Sequence, residues 1–180
     1  MRKCLRCKVD LKQKEYKSVM VDECQKCGGI WFDRDELRKA KDNTDDNLRW
    51  LDYDPFTTNN NPVTTNLSCP DCNKLINEVV YDKSKVKINI CPNCKGVWLD
   101  KNEINGILTY LQGIIVTKTS KEYANATIEE LKEIVTGPES KLSEFRDLIA
   151  VTNLLEMRYA VEYPWITNLY NAIYTFWPIK

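Results

Sequence analysis

Cys24-Gln-Lys-Cys-Gly-Gly-Ile-Trp-Phe-Asp-Arg-Asp-Glu-Leu37 recurs without a gap as Cys91-Pro-Asn-Cys-Lys-Gly-Val-Trp-Leu-Asp-Lys-Asn-Glu-Ile104. Cysteine, glycine, tryptophan, aspartate and glutamate fall at the same offsets in both, so the chain is built on an internal repeat, and an internal repeat decides architecture. Upstream of each block lies a second Cys-x-x-Cys pair, Cys4 with Cys7 and Cys69 with Cys72. The two intervals between the pairs, Val9 to Glu23 and Lys74 to Ile90, hold β-branched runs with partial alternation, such as Val19-Met20-Val21 and Val86-Lys87-Ile88-Asn89-Ile90. Each interval reads as a β-hairpin whose ends bring two cysteine pairs together.

Four thiols brought together from two tight turns suit a tetrahedral metal ion. The chain has eight cysteines and no histidine, so the predicted ligand sets are Cys4, Cys7, Cys24 and Cys27 at one site and Cys69, Cys72, Cys91 and Cys94 at the other. Both shells close on cysteine alone and leave no open position for a catalytic water, which points away from metal hydrolysis. Two Zn2+ per chain are expected; a rubredoxin-like iron centre uses the same four thiolates and stays open as the alternative. Four disulfides are disfavoured, because the sequence begins Met-Arg-Lys-Cys with no apolar export signal and Cys-x-x-Cys pairs in a reducing compartment read as metal ligands. The expectation is a soluble, cytoplasmic protein.

Features outside the cysteines extend the repeat. Gly29 and Gly96 are expected to point backbone N–H groups at the sulfurs and to supply left-handed backbone behind them. Trp31 and Trp98 could serve as base-stacking platforms, but a module of about 40 residues is short of apolar cover, and the reading preferred here is core packing. Asp33 with Glu36 and Asp100 with Glu103 have capping-box spacing, which predicts short helices over 34–41 and 101–112, the second closed by Gly113.

The fold expected is a small metal-stabilised α+β protein: residues 1–41 the first module, 42–66 a polar linker, 67–113 the second module and 114–180 a small α-helical C-terminal region. Within the linker Leu48, Trp50, Leu51, Tyr53 and Phe56 are too apolar for a tether and should anchor on a module. In the last region Thr127 with Glu130 marks a helix start, Gly137-Pro138 a stop followed by a new start, and Leu142, Phe145, Leu148, Ile149, Leu155 and Tyr159 keep helical spacing. Pro164 opens a last segment carrying Trp165, Leu169, Ile173, Phe176 and Trp177, which is expected to pack on the preceding helix and alternatively to dock a partner.

The formal net charge is zero, which argues against non-specific binding to polyanions by the chain as a whole. Residues 1–41 nevertheless hold twelve Lys or Arg against seven Asp or Glu. Arg2, Lys3, Arg6, Lys8, Lys12 and Lys14 are therefore the candidate phosphate contacts should the protein bind nucleic acid.

The block Cys-x-x-Cys-Gly-Gly-Ile-Trp-Phe-Asp-x-x-Glu-Leu, preceded by Cys4 and Cys7, resembles the transcription factor IIB-type zinc ribbon family, and the second module resembles it too. The resemblance covers residues 3 to 41 and 68 to 109. It implies two zinc ribbons in tandem with the four cysteines of each as ligands, and an association with transcription by name. Ribbons of this shape serve protein contacts as well as nucleic acid. The function expected is a non-enzymatic, zinc-stapled adaptor that binds another protein or a larger complex; the alternatives are a nucleic-acid-binding accessory factor and an iron electron carrier.

Overall fold

Each cysteine interval does fold as a hairpin. In the computed structural model, which describes residues 1–57, 61–137 and 139–165, β1 (Lys12–Tyr16) pairs with β2 (Val19–Glu23), and β5 (Leu75–Val80) pairs with β6 (Lys87–Ile90). Lys17 and Ser18 turn the first hairpin with φ of 50° and 58°, the positive pair that matches the twist of a two-residue turn. In β2, Val19 and Val21 are buried and Met20 is exposed, the alternation expected of a half-buried strand.

Three further strands complete the sheet. β3 (Ile30–Phe32) and β7 (Val97–Leu99) follow the second cysteine pair of each module, and β4 (Val63–Ser68) precedes β5. The order is β1-β2-β3-β7-β6-β5-β4, with every pairing antiparallel. The modules therefore join edge to edge through β3 and β7, where Ile30 faces Leu99, Trp31 faces Trp98 and Phe32 faces Val97. All six of these side chains are buried. One continuous core holds Cys4, Leu5, Leu11, Cys24 and Trp31 from the first module and Cys69, Ile76, Cys91 and Trp98 from the second. This pooled core answers the shortage of apolar surface that either module would face alone.

Helix α1 (Glu36–Asp42) follows β3, and α2 (Glu103–Thr117) follows β7. Both are entered through a left-handed residue, Asp35 at φ 66° and Asn102 at φ 74°. The expected capping boxes are only half present. Glu36 and Glu103 do reach back to the backbone N–H of Asp33 and Asp100, but those aspartate side chains are engaged elsewhere. Gly113 does not end α2, which continues to Thr117 with Ile104, Ile107 and Leu111 buried; Gly in a helix interior costs about 1 kcal/mol against Ala and need not stop a packed helix.

The segment after α1 is anchored, as its apolar residues suggest. Leu48 and Trp50 are buried, and the Lys41 side chain, 5% exposed, donates to the carbonyls of Arg49 and Leu51 at 2.9 and 3.0 Å and pairs with Asp42 and Asp52. The Tyr53 ring lies 4.7 Å from that of Tyr81, its hydroxyl donates to the Val80 carbonyl, and Lys95 sits over Phe56. Strand β4 starts at Val63, inside the stretch expected to be linker.

The unit Met1–Ile114 contains both modules; the second unit starts at Ile115. In the second, α3 (Ser120–Thr136) and α4 (Lys141–Glu162) form a hairpin. Its helices run antiparallel, since Ser120 at the start of α3 is hydrogen-bonded to Glu162 at the end of α4. The start of α3 lies at Thr119, whose capping box with Glu122 replaces the expected one at Thr127 and Glu130. Thr127 sits inside the helix and returns its hydroxyl to the Tyr123 carbonyl. Gly137 caps α3 and Ser140 caps α4. The α4 periodicity is helical, yet Leu142, Phe145, Ile149 and Tyr159 are exposed while Glu144, Asp147, Ala150, Val151 and Leu154 are buried. Of the expected docking residues Trp165 is exposed; Leu169, Ile173, Phe176 and Trp177 lie outside the described residues, as does Pro138.

Candidate metal centres

All four cysteine pairs adopt one turn. The carbonyl of the first cysteine accepts from the residue four positions on (Lys8, Gly28, Asn73 or Lys95), and its own N–H donates to the carbonyl one residue further, at Val9, Gly29, Lys74 or Gly96. The residue at the fourth position is left-handed each time, with φ of 60°, 71°, 58° and 64° in that order. Glycine is the unstrained choice there, and only Gly28 takes it. Gly29 and Gly96, expected to be the left-handed pair, are not. Their requirement is space: a Cβ on Gly29 would overlap the ring of Trp98, and one on Gly96 the ring of Trp31. Each tryptophan therefore seats on the glycine of the other module, and both rings are fully buried. This excludes the stacking platform and fulfils the packing expectation.

The turns bring the thiols into two groups, Cys4, Cys7, Cys24 and Cys27 and Cys69, Cys72, Cys91 and Cys94, with the sulfurs of each group all within 4.8 Å of one another. None of the eight is in a disulfide. Sulfur separations of 3.6 Å for Cys4–Cys27 and 3.5 Å for Cys69–Cys94 and for Cys72–Cys91 approach the edge of about 3.8 Å implied by tetrahedral bonds of about 2.3 Å. The donor set therefore fits a zinc ion at each site. Such an ion would cross-link the two turns of each module and carry no open position for chemistry. Backbone N–H groups of Cys7 and of Cys72 already point at the sulfurs of Cys4 and Cys69, the support that thiolate ligands need.

Without a cation the thiols of each group are electrostatically unequal. Burial pushes Cys27 up to about 12 and Cys94 up to about 11, and raises Cys4 and Cys69. At Cys72 the backbone N–H of Lys74 outweighs burial and lowers the thiol to about 7. At Cys24 burial is outweighed by the N–H groups of Cys27 and Lys26, again to about 7. Four close sulfurs cannot all ionise unaided; a dication supplies the missing charge and displaces the protons.

The repeated aspartates take their place in the join between the modules. Asp33 accepts from the indole N–H of Trp31 at 2.9 Å, and Asp100 from that of Trp98 at 2.8 Å. Arg6, between Cys4 and Cys7, donates to Asp100 and to Asn89 of the second module. Arg2 bonds Asp22 and Asp33 of its own module and Asp71, between Cys69 and Cys72, of the other. Burial notwithstanding, Arg6 and Trp98 hold the Asp100 carboxyl below its ordinary range. Of the six candidate phosphate contacts, Arg2 and Arg6 are thus committed within the fold, Lys14 pairs with Glu23, and Lys3, Lys8 and Lys12 are exposed. Sequence reasoning missed the cross-module role of the arginines, because they have no counterpart in the repeat: Asp71 stands where the first module has Arg6.

No curated protein and no solved structure matches the chain. Residues 3–43 and 68–109 each match the model of the transcription factor zinc-finger family, which implies zinc as the metal. The matched segments coincide with the two four-cysteine modules, and the chain accordingly carries two tandem transcription factor IIB-type zinc ribbons.

Proposed function

We propose that the protein is a non-enzymatic adaptor, in which two zinc-stapled ribbons form one rigid body and the α3–α4 hairpin binds another protein. The observation that carries the reading is the apolar surface of that hairpin. Ile128, Leu131 and Val135 on α3 and Leu142, Phe145 and Ile149 on α4 are all exposed. Each triplet lies at i, i+3 and i+7, a single stripe on its helix. On the same helices the buried positions are Ser120, Tyr123 and Glu130 of α3 and Glu144, Asp147, Ala150, Val151 and Leu154 of α4, so neither stripe belongs to the buried face. An exposed apolar stripe of this kind is a usual mark of a protein contact. Zinc then serves as a structural ion, with no iron and no redox step. Among the described residues no helix is long and apolar enough to cross a membrane, and a reducing compartment such as the cytoplasm suits eight free thiols.

The test is affinity capture of the full chain from its native extract, compared with a Phe145→Glu/Leu131→Glu variant. A protein that survives a high-salt wash and is lost in the variant is expected; equal recovery with both chains overturns the reading. The exposed Lys3, Lys8 and Lys12 favour a second reading, contact with nucleic acid. It requires affinity that falls steeply with salt, and no binding of DNA or RNA at low salt sinks it.

A further inference from the structure

We infer that the two zinc sites load as one cooperative unit, so that a chain holding a single zinc ion is a minor species. Three sets of contacts tie the ligand turns of one ribbon to those of the other. Trp31, four residues beyond Cys27, seats on Gly96, two residues beyond Cys94; Trp98 seats reciprocally on Gly29, two residues beyond Cys27. β3 and β7, each entered directly from a ligand turn, form the central pair of the sheet. Arg2 and Arg6, flanking Cys4, are bonded to Asp71 and Asp100, and Asp71 lies inside the turn of Cys69 and Cys72. The ligands Cys4, Cys24, Cys69 and Cys91 belong to the same buried core as both tryptophans.

Zinc organises the ligand turns of small ribbons, since a preformed site rarely exists in the unfolded chain. Ordering the turn at Cys91 and Cys94 places the glycine on which Trp31 rests, and ordering the turn at Cys24 and Cys27 does the same for Trp98. The first ion therefore prepares the surface that the second ribbon needs, and the second ion binds to a site already partly built. The coupling is reciprocal: each ion tightens the other by the same factor.

Titration of the metal-free full chain with Zn2+ under reducing conditions, read by native mass spectrometry, tests this directly. For two independent sites, about half of the chains carry one ion at half-loading, and unequal affinities only raise that share. A coupling of about tenfold, mid-range for linked sites, lowers it to about a quarter, and about a hundredfold to roughly a tenth. The expected one-zinc fraction is a quarter or less, and a larger fraction overturns the inference. A Cys72→Ser/Cys94→Ser chain supplies a second readout. Its intact first site should lose about tenfold or more in zinc affinity against a competing chelator, and an affinity within threefold of the wild-type value is the contrary result.

Discussion

Trp31→Ala removes one of the two largest side chains in the join between the ribbons. The ring is fully buried, packs on Gly96 and stands opposite Trp98 in the central strand pair. Truncating a buried tryptophan costs about 3–5 kcal/mol, the lost transfer energy plus the cavity that remains. The upper part of that range is expected here. The cavity would be walled by backbone at Gly96 and by the fully buried Trp98, neither of which can collapse into it without breaking the sheet. The lost hydrogen bond to Asp33 adds little, because that carboxylate is 45% exposed and keeps Arg2. Urea unfolding of the zinc-loaded chain, followed by circular dichroism at fixed free zinc, would measure the loss. Met20→Ala, at an exposed position of β2, should stay within about 0.5 kcal/mol as a control. A loss below about 1 kcal/mol for Trp31→Ala would refute the packing argument and return the ring to the surface as a ligand platform.

Two further expectations concern buried charge. Lys41→Met should destabilise the chain by about 3 kcal/mol, because it leaves the buried Asp42 with Arg38 alone as its cation and leaves the carbonyls of Arg49 and Leu51 without their buried donor; a loss under about 1 kcal/mol in the same unfolding assay would show that the segment 49–52 is not held by Lys41. At Glu103, burial pushes the carboxyl up to about 7 from its ordinary value of 4.5. The folded chain then takes up this proton before the unfolded chain does, so the stability this group contributes is complete below about 4.5 and is lost as pH rises through about 7. Glu103→Gln keeps an acceptor for the Asp100 N–H and removes the titration. The stability of the variant relative to wild type should increase from pH 6 to pH 8, and a difference that does not change with pH would contradict the assignment.

The ribbons were legible because their signals are local. Cys-x-x-Cys turns, period-two runs and the duplicated Gly-x-Trp-x-Asp block each depend on neighbours a few residues apart. The join between them was not legible. β3 and β7 are three residues long and buried on every side, so they show no alternation, and their pairing spans most of the first unit. The N–H groups of Gly29 and Gly96 do reach the sulfurs of Cys27 and Cys94, as their place behind the turns suggests, but sequence marks a glycine without saying whether it also serves backbone angle or ring contact. The capping boxes at Asp33 and Asp100 had the right spacing, but Trp31, Trp98 and the two arginines compete for the same oxygens. Thr127 and Glu130 matched a helix start equally well, and Thr119 with Glu122 won because the helix extends about two turns further upstream. In α4 the helical period was plain, whereas which face is buried depends on α3 and could not be read from one helix.

Metal analysis of natively purified full-length protein, paired with thiol counting, tests the central claim most directly. The account predicts two zinc ions per chain, no iron and no visible absorption, with all eight thiols shielded from a thiol reagent until a chelator is added. A metal-free chain that keeps its circular dichroism and its resistance to protease would contradict it, as would a single ion shared between the two cysteine sets.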